Sequence, residues 1–82
     1  MDEEVDLLAD LNAVDDDGLG LSTLSDASAP ANVRPGTFLL AGNRYGRAVV
    51  RVIAVDAEGQ VHFSILPGSV AKNRHLVGRT AG

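Results

Sequence analysis

The 82-residue chain has no cysteine and no tryptophan, and its aromatic side chains are two phenylalanines and one tyrosine. Without cysteine there are no disulfide staples, no thiolate metal sites and no cysteine nucleophile. That absence fits a reducing compartment. The two histidines, His62 and His75, lie in different segments and cannot form a zinc site by themselves. No run approaches the roughly 18 apolar residues that a membrane-spanning helix needs. The opening MDEEVD lacks the basic and apolar stretches of a signal peptide. A soluble cytoplasmic domain without a membrane partner is the expectation. A chain this short buries only about 60–65% of its unfolded surface, so it makes one small, marginally stable domain.

Positive charge is also absent from the first third. Residues 1–33 hold nine acids (Asp2, Glu3, Glu4, Asp6, Asp10, Asp15, Asp16, Asp17 and Asp26) and no Lys or Arg. Residues 34–82 hold all seven basic side chains and only Asp56 and Glu58, so the two parts carry −9 and +5. Such asymmetry points to segments with different electrostatic roles, or to an acidic segment folded over a basic one. Six arginines against one lysine indicate a GC-rich coding sequence and a bacterial-type protein.

What is present reads in three parts. DEEVDLLADLNAV places Val5, Leu8 and Leu11 on one helical stripe, with Leu7 and Val14 beside it and the early acids complementing the helix dipole. The spacing predicts an acidic amphipathic helix ended at Gly18, so residues 1–24 are read as that helix and its extension. Thirteen residues are marginal as an isolated helix, so it needs a surface to pack on. Residues 25–35, rich in Ser and Ala and including Pro30 and Pro35, read as a linker.

Residues 36–82 then read as a small basic β domain. TFLLAG (37–42), RAVVRVIAV (47–55) and VHFSIL (61–66) are strand runs separated by NRYG and DAEGQ. VAKNRHLV (70–77) reads as a short helix with Ser69 as N-cap and Gly78 past its end, a final strand being the alternative. If Val55 stands opposite Val61, one face carries Val49, Arg51, Ile53, Val55, Val61, Phe63 and Ile65. The other carries Ala48, Val50, Val52, Ala54, His62, Ser64 and Leu66. The first face is bulkier and is the expected core. The second is too apolar to face water, and the N-terminal segment or a partner should cover it. The fold class is α+β: a small SH3-like β-barrel or β-roll over residues ~34–80, preceded by the N-terminal helix. The run PGTFLLAGNRYGRAVVRVIAVDAEGQV is loosely similar to small barrels that bind nucleic acid or ribosomal components, without a specific signature.

Arg51 interrupts the apolar run GRAVVRVIAV. A buried unpaired guanidinium is prohibitively costly. An arginine snorkelling from an edge strand, a register slip, or an ion pair with Asp6 or Asp10 would each resolve the conflict.

Motifs for chemistry are weak. An EF-hand phased on Gly18 would put Ala13 and Leu24 where oxygen ligands belong. Ser69 and Lys72 make an S-x-x-K spacing that N-capping explains better. His62 and Ser64 lack a sequence-evident carboxylate to complete a triad. The acyl-carrier pattern fails because the second half is β. No catalytic residue, cofactor, metal site or small-molecule substrate is expected.

Arg44, Tyr45, Arg47, Arg51, Arg74 and Arg79 remain as candidate electrostatic contacts, with Leu7, Leu8, Leu11, Val50 and Val52 as apolar packing or partner contacts. The expected function is a non-enzymatic accessory or regulatory protein that binds a protein partner or self-associates as an oligomer. The alternative is a nucleic-acid-binding barrel modulated by its acidic segment.

Overall fold

A computed structural model describes residues 5–79. Five strands form: β1 (Leu7–Leu8), β2 (Gly20–Thr23), β3 (Phe38–Asn43), β4 (Gly46–Val55) and β5 (Gln60–Ile65). They make one mixed sheet in the order β1-β3-β4-β5-β2, with β1 parallel to β3 and every other pair antiparallel. The sheet curls into a half-barrel. Its two edge strands meet where the Ser22 hydroxyl donates to the Leu8 carbonyl at 2.7 Å. A short helix, α1 (Val70–Asn73), and a 3₁₀ turn over Arg74–Leu76 follow. The three central strands thus fall within a residue or so of the runs read from the sequence, and the helix read over 70–77 begins at Val70 but gives way after Asn73 to the 3₁₀ turn. Ser69 caps α1 as expected, its Oγ accepting from the Lys72 N–H at 3.1 Å.

The predicted N-terminal helix is not there among the described residues; the segment is extended. Burial alternates, with Leu7 and Ala9 inside and Leu8 and Asp10 outside, which is a strand's period of two. The backbone is tied to β3 by Asp6 N–H to Leu40 O and Ala9 N–H to Gly42 O, and Asp6 Oδ2 accepts from the Leu40 N–H at 3.0 Å. Further along, side-chain caps offer the backbone partners that compete with helical ones. Asp10 Oδ1 takes the Asn12 N–H, and Asp15 Oδ1 takes the N–H groups of Asp17 and Leu19. A marginal helix loses to a free sheet edge plus these local caps. The stretch 25–35 includes parts of two short 3₁₀ turns, Leu24–Asp26 and Pro30–Asn32, and Val33 reaches the core.

The expected core face is also corrected. Val55 pairs with Val61 and Ala54 with His62, as the spacing predicts, but Val52 then pairs with Phe63. Ile53 is therefore the extra residue of a β-bulge, and every β4 side chain before it exchanges faces relative to β5. Val50, Val52, Val61 and Phe63 become the core, joined by Leu7, Ala9, Val33, Leu39 and Ala41. The N-terminal segment does cover the face carrying Val50 and Val52, as a strand rather than a helix. Gly20 makes this core possible, because a β-carbon there would collide with the Phe63 ring.

Val49 and Leu40, opposite one another in β4 and β3, point away from this core yet are buried. The C-terminal segment closes that side: α1 packs on β4 and the 3₁₀ turn on β3.

Candidate binding surface

Arg51 lies on β4, the middle strand of the sheet, so it is not an edge residue. It is exposed because the bulge phases it outward, opposite Phe38 on one side and Ser64 on the other. Among the described residues it forms no ion pair, and Asp6 is engaged with Leu40 instead. A register shift, supplied by one extra residue, resolves the interruption in GRAVVRVIAV.

The candidate arginines separate into two groups. At the tip of the β3–β4 hairpin, Asn43 pairs with Gly46, leaving Arg44 and Tyr45 as a two-residue connection. Asn43 Oδ1 accepts from the Tyr45 N–H at 2.8 Å and fixes the turn. Tyr45 is 87% exposed, with the Arg44 guanidinium 5.9 Å from its ring centroid, within cation–π range. Arg47 begins the return strand and is half-buried. At the other end of β3, Phe38 pairs with Arg51 and exchanges backbone hydrogen bonds with Gly78 and Arg79. Arg34 precedes this end and Arg74 lies in the 3₁₀ turn. Six residues of strand separate the groups, roughly 20 Å at the usual rise.

Among the described residues, Arg34, Arg44, Arg47, Arg51, Lys72 and Arg79 form no ion pair with any acid. The acidic and basic parts of the chain share one sheet without those cations being neutralised by direct contact. Of the apolar candidates, Leu7, Val50 and Val52 lie within the core, Leu11 packs against its margin, and Leu8 alone is open, at 51% exposure.

One constellation was not visible in the sequence. His62 stands between two carboxylates: Nδ1 lies 3.8 Å from Asp15 Oδ2, and Nε2 lies 3.5 Å from Asp56 Oδ2. Each aspartate uses its other oxygen to hold its own loop, Asp56 Oδ1 accepting from the N–H groups of Glu58 and Gln60. The Gln60 N–H does most to hold the Asp56 carboxyl below its ordinary value; desolvation opposes it next, and the Glu58 N–H and His62 add to the lowering. Both ring nitrogens face carboxylates, so neither is left for the Ser64 hydroxyl, and the serine–histidine pairing weighed from sequence does not assemble. Only long-range folding brings Asp15 to this histidine. No group of three or more His, Asp or Glu side chains suited to a metal ion occurs among the described residues. No helix among them is long and apolar enough to cross a membrane.

Among several hollows, one lies near the Phe38 end of β3 and two of about 480 Å³ adjoin β1 and the hairpin tip. The first, about 230 Å³, is lined by Asp6, Val33, Arg34, Leu39 and Val77 among others. That is below the size of ordinary small-molecule sites. A larger one of about 480 Å³ lies beside the hairpin tip, lined by Asp10, Leu11, Asn12, Asn43, Tyr45, Gly46 and Arg47. No family model, curated protein or solved structure matches the chain.

Proposed function

We propose that this chain is a non-enzymatic accessory module, built on an SH3-like half-barrel, that docks on a protein partner through its β3–β4 hairpin tip. One observation carries the reading: Arg44, Tyr45 and Arg47 stand together with an almost fully exposed tyrosine and, among the described residues, no acidic partner. Tyrosine and arginine are the side chains most enriched among residues that dominate binding energy. A rigid two-residue turn presents them with little ordering entropy left to lose. The arginines at the Phe38 end supply steering and secondary contacts.

The exposed Tyr45 with Arg44 beside it also suits base stacking, which supports nucleic-acid binding as the second reading. Residues 34–82 alone would lack β1 and β2, so the test uses the full chain. Wild type, Tyr45→Ser and Arg44→Glu are compared for protein capture from native lysate and for single-stranded RNA and DNA binding at two salt concentrations. Capture of one protein species by wild type, lost in both variants, supports the proposal. Salt-sensitive oligonucleotide binding lost in the same variants would replace it with the second reading. Capture unchanged by either substitution would contradict both.

A further inference from the structure

We infer that the hollow beside the hairpin tip receives an acidic side chain of the partner, paired with the Arg47 guanidinium; this rests on the tip being the docking surface. Arg47 differs from the other arginines there. Its Nε is shielded from solvent and has no hydrogen-bond partner. Arg47 as a whole is half-buried and forms no ion pair among the described residues. Buried polar groups are nearly always satisfied, so one that is not points to a missing partner. Partial burial also lowers the local dielectric and restrains the side chain, so an arriving carboxylate gains more here than at a fully solvated arginine.

The walls of the hollow narrow the partner's chemistry. Leu11 and Tyr45 offer apolar surface, and Asn12 and Asn43 offer amides. Asp10 shares the hollow but makes no ion pair with Arg47, its Oδ1 being occupied by the Asn12 N–H. A single carboxylate meets the repulsion of Asp10 once. A nucleic-acid strand would carry a charge on every nucleotide past Asp10 and its acidic surroundings. An Asp or Glu within a largely neutral or apolar stretch of protein is therefore the occupant.

The probe is a capped hexapeptide with a single glutamate among glycine and leucine residues, with the peptide carrying glutamine in its place as control, titrated at low salt into the full isotope-labelled chain and followed by amide shifts. The single-glutamate peptide is expected to shift residues 10–12 and 43–47, and the glutamine peptide to leave them in place. Arg47→Gln should weaken binding at least tenfold and Arg47→Lys should not restore it, because lysine lacks the planar fork. Asp10→Asn should strengthen binding several-fold, and it leaves the hairpin untouched. Shifts confined to the Arg34, Arg51 and Arg79 end, or an unchanged affinity in Arg47→Gln, would overturn the assignment. So would an oligodeoxythymidylate that displaces the peptide from the tip. Partner capture lost in Tyr45→Ser but kept in Arg47→Gln would overturn the carboxylate site while leaving the docking role intact.

Discussion

Asp56 shows how one carboxylate serves two purposes in a small fold. Its Oδ1 closes the β4–β5 turn through two backbone N–H groups, and its Oδ2 faces His62. The hydrogen bond from Gln60 comes first among the influences that lower its proton affinity in the folded state. A depressed carboxyl contributes stability that is present above its unfolded value, about 4, and is lost as pH falls through the lower folded value. Denaturant midpoints measured against pH should fall on the acid side of about pH 4 in the wild type. Asp56→Asn should be less stable at neutral pH and show a shallower acid limb. An identical acid limb in the two proteins would remove Asp56 from the account. Arg51 is the opposite case, a charge whose position is set by backbone phase and not by any partner.

At the scale of elements, the N-terminal segment decides between two readings of one amphipathic sequence. As a helix its buried stripe would include Leu8; as β1 it buries Leu7 completely and leaves Leu8 half open. Leu7→Ala should therefore destabilise the fold by about 2–5 kcal/mol. Leu8→Ala should stay within about 0.5 kcal/mol. Urea unfolding of both variants checks this, and a larger loss at Leu8 would restore the helix. The strands β3, β4 and β5 and the capped α1 were legible in the sequence because their signals are local: alternation, Gly-bearing turns, and Ser69 three residues before Lys72. The N-terminal strand was not legible, because a two-residue parallel pairing depends on the free edge of β3, more than thirty residues away. The core face was misassigned for a related reason. A bulge at Ile53 leaves every residue's propensity unchanged, yet it exchanges the two faces. The tip residues Arg44, Tyr45 and Arg47 could be nominated by composition, but their separation from Arg51 and Arg79 needed the register.

At the scale of the molecule, the charge segregation along the sequence leaves most of the described arginines without a direct acidic contact in the fold. The acidic segment supplies β1 and β2, and Asp10 and Asp15 cap its loops, while among the described residues Arg34, Arg44, Arg47, Arg51 and Arg79 form no ion pair around the two ends of the β3–β4 hairpin. In the proposed docking role, these cations would meet an external acid at a tip that also presents an aromatic ring. Site-specific photocrosslinking in living cells tests this most directly, with p-benzoylphenylalanine placed at position 45 and, as controls, at the exposed positions 14 and 57. The account predicts a discrete protein adduct from position 45 alone, abolished by Arg47→Glu. A nucleic-acid adduct at position 45, or protein adducts indifferent to position and to Arg47, would contradict it.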